Sequence, residues 1–351
     1  MKRDFYKYFI PIIILSLIGI FSIFCSKSIL SNYDVFLKKQ IMFLIIGVIL
    51  LFVFRKVNYV YINKYCFLFY IVSVFLLVYV LFFGNVINGS KSWINLFGFS
   101  IQPSEFVKIA LLLCFNKYIK SRYGLLKSII LLVIPSVLTF LQPDTGTVIF
   151  YLVIFFSIFI SMGLKKRYYI GLFSLGFLAI GIYFYLYFFR SELFIDIFGT
   201  SFFYRTDRII NFTSGSGYQL NNALIGIGNG GIVGNLSNYV IYIPEAITDF
   251  MFANSLVIFG FIGGLTIILL FIYIDFNLIR DIKENNKYFI IGLLGLFLYQ
   301  QIQHIFMNIG LLPITGITLP FVSYGGSSLI SYFILFGLLF NIKKTVIVNS
   351  S

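Results

Sequence analysis

The chain has 351 residues, of which 60% are hydrophobic, 20% aromatic and only 11% charged, with 26 lysines and arginines against 12 aspartates and glutamates for a formal net charge of +14. So little charge cannot coat a water-soluble globule of this size, so soluble enzymes and soluble binding modules are excluded and a polytopic membrane protein is expected. In a soluble chain this excess of base would point to nucleic acid; here it reports topology, and no nucleic-acid partner is expected.

Runs rich in Ile, Leu, Phe and Val predict helices near 8–25, 41–54, 65–83, 104–116, 125–141, 146–163, 168–189, 250–274, 288–308 and 324–341. That makes about ten transmembrane helices in an all-α polytopic membrane protein. Several are shorter than the roughly 20 residues of a perpendicular crossing, so tilt or burial against neighbours must absorb the difference. The first run follows Met1-Lys2-Arg3 without a small-x-small cleavage site and reads as an uncleaved span. Cys25, Cys66 and Cys114 fall in or beside apolar runs without paired spacing, which implies neither disulfides nor a metal site. With the amino terminus inside, 18 lysines and arginines lie on that side and 7 on the other, so both termini are expected to be cytoplasmic. Between spans seven and eight the segment 190–249 forms a large extracytoplasmic loop rich in glycine, within a single integral membrane domain covering 1–351. Loops of that length are uncommon unless they have a function. Asp34, Glu105, Asp144, Glu192, Asp196, Asp207, Glu245 and Asp249 all fall outside or at the outer end of a span, so any chemistry belongs to the outer face.

Five stretches carry groups suited to chemistry. In Tyr242-Ile-Pro-Glu-Ala-Ile-Thr-Asp-Phe-Met-Phe-Ala253 the carboxylates of Glu245 and Asp249 stand four residues apart before an apolar helix, on one face if the helix starts early. An acid at the edge of an apolar region tends to a raised pKa and can serve as a general base; the plainer reading is that Thr248 or Asp249 caps the helix. In Gln102-Pro-Ser-Glu-Phe-Val-Lys108 the proline and Ser104 open a helix, and Glu105 and Lys108 are close enough to pair. An ion pair at membrane depth points to function, unless Glu105 only meets the helix dipole while Lys108 snorkels. Gln142-Pro-Asp-Thr-Gly-Thr147 opens another helix, with Asp144 as the expected N-cap. Arg205 and Arg208 in Tyr204-Arg-Thr-Asp-Arg-Ile209 suit a pyrophosphate, or anchor to anionic lipid.

The fifth stretch, Gly310-Leu-Leu-Pro-Ile-Thr-Gly-Ile-Thr-Leu-Pro-Phe-Val-Ser-Tyr-Gly-Gly-Ser-Ser328, interrupts the apolar pattern with two prolines and four glycines. Irregular backbone at that depth must be buried or line a cavity. Its end, with Ser323 and Ser327, opens the last helix, where free amides could hold an anion; close packing of small residues is the rival account. His304, in Gln300-Gln-Ile-Gln-His304, is more simply a buried hydrogen-bonding residue than a base. The glycines of 226–234 form no nucleotide loop, because no Gly-Lys-Ser/Thr follows.

Together with Lys91-Ser-Trp93-Ile, Tyr204-x-x-x-Arg208-Ile and Gly226-Ile-Gly-Asn-Gly-Gly-Ile-Val-Gly234, these stretches resemble, in family order from about Trp93 to Ser328, the SEDS family of RodA-type and FtsW-type peptidoglycan glycosyltransferases. The resemblance implies polymerisation of lipid II into glycan strands on the outer face of the bacterial cytoplasmic membrane, with release of undecaprenyl pyrophosphate. It further implies Asp249 as general base, Glu105 and Lys108 as a charged pair, Arg208 as a loop arginine, and Trp93 as an aromatic at the outer entrance. Substrate binding is expected from these residues together with Arg205, Glu245, Asp144, Ser323 and Ser327. The expected partner is a class B penicillin-binding protein; a divalent cation at the pyrophosphate fits the chemistry, although no metal-ligand spacing is visible. Gly310-Leu-Leu-Pro-Ile-Thr-Gly316 leans toward the RodA type. The sequence departs from the family pattern at Ile247, where a histidine is common, at Val257 and Ile258, where acids are common, and in Asn211–Ser214, which lacks a proline. Two other readings remain open: a flippase for lipid-linked sugar, favoured by the Glu105/Lys108 pair, and a scaffold that activates a partner synthase.

Overall fold

The computed structural model describes residues 2–28, 32–87, 90–96, 98–210, 217–235, 242–283 and 287–350. Each of the ten apolar runs is occupied by a helix: α1 (Lys2–Cys25), α2 (Tyr33–Lys56), α3 (Tyr59–Phe83), α4 (Pro103–Tyr118), α5 (Gly124–Leu141), α6 (Thr145–Ser161), α7 (Lys166–Phe189), α11 (Met251–Arg280), α12 (Lys287–Asn308) and α13 (Gly326–Ser350). Seven are long and apolar enough to cross a membrane: α1, α2, α3, α5, α7, α11 and α12. Of the others, α6 is a shorter apolar helix, α13 is apolar over its described part Gly326–Ile342, and α4 has only 16 residues, most of them buried. A short helix with charges inside it is tolerated because its neighbours, not lipid, surround it. Local chemistry sets the boundaries. Pro103 occupies the first turn of α4, the Asn58 side chain accepts from Val60 N at the start of α3, and Asp144 does the same for Thr147 N in α6.

Two features lie outside the apolar-run reading. Between α3 and α4 the chain forms an antiparallel meander of β1 (Asn85–Ile87), β2 (Ser90–Leu96) and β3 (Phe99–Ile101), with Asn85 opposite Trp93 and Ile94 opposite Ile101. Strands of three to seven residues leave no trace in windows of helix length. The segment 190–249, expected as a loop, holds three helices: α8 (Ser191–Phe198), α9 (Thr200–Ile210) and α10 (Tyr218–Gly230). Helices α8 and α9 fold onto the C-terminal end of α7, where Tyr183 OH and Thr206 Oγ1 are 2.6 Å apart and Tyr187 OH donates to Asp207 Oδ1 at 3.1 Å. Phe140 of α5 stacks on Phe202 at 4.3 Å between ring centroids.

Helix α10 packs against α11, and there the glycine run finds its physical reason. Helix α11 is broken at Gly260, whose φ of 66° and ψ of −168° are not helical. The groups released by the break are taken up by the chain after α10: Asn235 N donates to Val257 O, Phe261 N to Gly231 O and Ile262 N to Ile232 O, all at 2.9–3.1 Å. Backbone approach this close excludes side chains. A Cβ on Gly230 would lie 2.3 Å from Leu256 O, and one on Gly234 2.1 Å from Ile258 O. An irregular backbone inside an apolar helix is affordable only when such partners are supplied.

The helices surround one apolar core in which α1 runs along α11, α2 along α13, and α6 along α12. Aliphatic and aromatic side chains such as Phe177 of α7, Phe75 of α3 and Phe261 of α11 face outward, as expected of helices whose surroundings are lipid.

Candidate functional site

The acid-bearing stretches converge on the irregular segment 310–328 from two sides. On one side lies the turn before α11. Glu245 adopts a left-handed φ of 53°, which stops the helix from starting early, and the turn closes through Thr248 N and Phe250 N, both donating to Glu245 O. Thr248 Oγ1 donates to Glu245 Oε2 at 2.7 Å. Glu245 and Asp249 therefore share a turn and not a helix face. Nor does either Thr248 or Asp249 cap α11: the N-cap position is Phe250, and no side chain of its own turn bonds the helix end. Asp249 is half-buried. Burial first, and the charge of Glu245 second, push its carboxyl up to about 7. A carboxyl that exchanges protons near neutral pH is the condition for general base chemistry.

On the other side lie α4, α6 and the start of α13. Lys108 Nζ sits 2.7 Å from Glu105 Oε2, which also accepts from Ser331 Oγ at 2.8 Å. Lys108 does not snorkel: it is wholly buried, with its ammonium 4.5 Å from the Phe150 ring centroid and 5.5 Å from that of Tyr332. Asp144 caps α6, as its position predicts, and accepts from Thr147 Oγ1 and Gln102 Nε2, both at 2.8 Å. Burial pushes its carboxyl above the ordinary carboxylate range, a rise that these hydrogen bonds oppose. The meander holds this loop from outside: Ser90 Oγ lies within 3.2 Å of the carbonyls of Gln142 and Pro143. Trp93, half-buried, is on the same strand.

The segment 310–328 joins the two sides. Ser323 Oγ donates to Thr248 O at 2.8 Å and accepts from Leu319 N; Tyr324 N donates to Ile247 O. Toward α4, Ser327 Oγ accepts from Gln102 N at 3.0 Å. A Cβ on Gly146 would touch Thr315 O and Ile317, and one on Gly316 would lie 3.7 Å from Asp249 Oδ2. The small residues thus let the segment pass between the two acidic loops. The side chains of Arg205 and Arg208, in α9, lie outside the described residues, as do residues 211–214.

Sequence reasoning missed what holds this segment in place. Gln300, Gln303, His304 and Asn308 line one face of α12. Gln300 Nε2 donates to Thr318 O at 2.7 Å, Gln303 Nε2 to Pro313 O at 3.1 Å, and His304 Nδ1 bonds Ile317 O at 2.7 Å. Tyr332 OH donates to Gln300 Oε1 and so ties this ladder to the Lys108 pair. The signal was present as polar residues at i, i+3, i+4 and i+8 within an apolar span, a helical spacing. Of the positions that depart from the family pattern, Ile247, Val257 and Ile258 are all buried, the last two among Ala223, Ile243 and Phe250 between α10 and α11. Apolar packing therefore stands there in place of polar partners. Among the described residues no three His, Cys, Asp or Glu side chains converge as a metal site.

A family model described as cell cycle protein, FtsW/RodA/SpoVE, matches residues 4–347. The chain is 32% identical to a protein named probable peptidoglycan glycosyltransferase FtsW of Wigglesworthia glossinidia brevipalpis, over 93% of this chain and 89% of that one. It is 31% identical to stage V sporulation protein E of Bacillus subtilis, over 95% and 94% of the two chains, and 31% identical to peptidoglycan glycosyltransferase MrdB of Helicobacter pylori, over 96% and 88%. A chain solved in a study of polymerization and crosslinking by a peptidoglycan synthase complex has the same fold, with a TM-score of 0.79 over 95% of this chain and 97% of that one at 24% identity. With its motifs in family order and its length covered almost throughout, the chain belongs to the FtsW/RodA/SpoVE family of cell cycle proteins, the SEDS family.

Proposed function

We propose that this protein is a peptidoglycan glycosyltransferase that polymerises lipid II on the outer face of the bacterial cytoplasmic membrane, with Asp249 as general base. The observation that carries the reading is the state of Asp249: a half-buried carboxyl held beside Glu245 on a turn that does not use it as a cap, with a pKa of about 7. The names of the relatives support the activity. In the proposed step Asp249 takes the proton of the acceptor sugar's 4-hydroxyl. That oxygen forms the new bond to the donor's anomeric carbon, and the bond from that carbon to undecaprenyl pyrophosphate breaks, the pyrophosphate keeping the electron pair. Arg205 and Arg208 would meet the pyrophosphate charge, with Trp93 at the sugar entrance and Glu245, Asp144, Ser323 and Ser327 shaping the acceptor side. The Glu105–Lys108 pair, covered by Phe150 and Tyr332, would act through the outer ends of α4 and α13 that it joins. No step is routed through a divalent cation. A class B penicillin-binding protein, which cross-links glycan, is the proposed partner; the peptidoglycan synthase complex that contains a structural neighbour supports it.

The test is polymerisation of fluorescently labelled lipid II by the purified protein, with and without a class B partner. Asp249→Ala and Asp249→Asn should abolish glycan formation. Full activity in either variant, or glycan made only by the partner, removes Asp249 from the role and favours the scaffold reading. A headgroup-accessibility assay in liposomes containing this protein alone addresses the flippase reading, because polymerisation outside needs no translocation.

A further inference from the structure

The first turn of every helix leaves backbone N–H groups without intrahelical partners, and a side chain of the preceding turn usually takes them. In α11 the residues best placed for this are Thr248 and Asp249, yet neither does so. The partners come from α12 instead. Asn308 Oδ1 accepts from Ala253 N at 2.9 Å, and His304 Nε2 accepts from Phe252 N at 3.4 Å. The same Asn308 amide donates through Nδ2 to Asp249 O at 2.9 Å and to His304 O at 2.8 Å. His304 can accept at Nε2 only with its proton on Nδ1, where Ile317 O, 2.7 Å away, receives it; the ring is therefore neutral. Both side chains are wholly buried.

We propose that Asn308, seconded by His304, is the positioning residue of Asp249: it caps α11 from another helix and grips the Asp249 carbonyl, so that the Asp249 carboxylate is left uncommitted. The reason lies in competition. An Asp one residue before an N-cap, with free amides at its helix end, folds back onto those amides and spends its lone pairs there. A carboxylate so engaged is a weaker base and points at its own helix. Supplying the cap from α12 removes the attraction. Among the described residues no donor bonds the Asp249 carboxylate. Helix α12 is suited to the task, because the polar face that carries Asn308 and His304 also anchors Pro313, Ile317 and Thr318 of the segment beside Asp249. Base and neighbouring backbone thus take their positions from one rigid element.

The inference rests on the reading of Asp249 as general base, so Asp249→Asn is measured alongside. The assay is steady-state polymerisation of labelled lipid II by the full chain, with its class B partner where activity requires one, across pH. Asn308→Leu keeps the branched skeleton of the side chain, though with bulkier methyl groups, and loses all three hydrogen bonds. It should lower kcat by about 10- to 100-fold, the scale of a misplaced catalytic group, while the KM for lipid II changes less than about threefold on the same reasoning. The acid limb of the pH profile should also move to lower pH, because the released amides now draw the Asp249 carboxylate. Of the titratable groups around this turn, Glu245 belongs to the turn, His304 is neutral, and α10 and the segment 310–328 carry no charged residue, their tyrosines Tyr218 and Tyr324 aside. Cys25 and Lys27 stand at the outer end of α1. His304→Gln, whose amide can accept from Phe252 N and donate to Ile317 O, should stay near wild type, while His304→Leu should lose activity as Asn308→Leu does. Wild-type kcat in Asn308→Leu, or equal losses in His304→Gln and His304→Leu with an unmoved pH profile, overturns the positioning role. Should Asn308→Leu fail to fold, the His304 pair decides alone. An active Asp249→Asn is the separate result that removes the base itself.

Discussion

Asp249→Asn should make the protein inactive and more stable at once, and the pH dependence of the gain tests why. Burial and Glu245 raise the Asp249 carboxyl from 3.8 to about 7 in the folded protein, which at ~1.4 kcal/mol per pH unit disfavours its ionised form by at most about 4 kcal/mol. Asp249 keeps some contact with solvent, so water screens part of this and about 1–2 kcal/mol is the figure to expect. Because the folded state binds the proton more tightly than the unfolded one, folding weakens as pH rises from the unfolded value near 4 through the folded value near 7, and changes no further above it. Asparagine carries no such charge. Unfolding in detergent should therefore show the two proteins alike near pH 4, with the variant gaining through pH 7 to an apparent Tm about 2–5 °C higher at pH 8. Equal stability at every pH, or a wild type more stable at pH 8, would refute the claim that the fold holds this carboxyl against its ionisation.

Glu245→Gln removes the second cause of the raised Asp249 pKa, so the acid limb of lipid II polymerisation should move to lower pH; a limb that stays in place shows that Glu245 does not act on the base. Lys108→Met leaves Glu105 buried without its partner and should cost about 3–5 kcal/mol, whereas Lys108→Met with Glu105→Gln should regain most of it; thermal unfolding of the two proteins compares them, and equal losses would mean that the pair is not coupled. Gly234→Ala combines a left-handed φ of 92° with a Cβ 2.1 Å from Ile258 O, so it should destabilise by roughly 1–3 kcal/mol from backbone strain alone; limited proteolysis between α10 and α11 should rise with it.

How far the sequence speaks depends on the length scale over which each feature is encoded. Spans such as α3 and α11 are legible because some twenty consecutive side chains carry the same message. The cap at Asp144 and the opening of α4 at Pro103 are legible too, being rules about a residue and its own next turn. The meander at 85–101 is too short for apolar windows, and it owes its position to Ser90 and Ser92 reaching Gln142, some fifty residues on. Asp249 was legible as a candidate, but the choice between base and cap was not, because local spacing favours the cap. What overrides it, Asn308, lies 59 residues away. Glycines 226–234 could be set aside as a nucleotide loop from sequence, while their service at the break in α11 depends on Gly260, seen only once the two helices meet.

These cases share a physical cause, which also explains why the candidate site lies where it does. An unbroken apolar helix satisfies its own backbone and has nothing left to offer a polar ligand. Chemistry requires carbonyls, amides and carboxylates that secondary structure has not consumed, and in an apolar protein these exist only at helix ends and interruptions. Each such place must then be secured from elsewhere in the chain: Gly260 by residues 231–235, the segment 310–328 by the polar face of α12, and the start of α11 by Asn308. Securing the helix end at Phe250 from a distance is what separates Asp249 from an ordinary cap, for the same aspartate with a local cap duty would have its oxygens turned inward. The base role we propose for this carboxylate thus depends on the contact between α11 and α12, and a substitution that leaves Asp249 untouched but loosens that contact should disarm it.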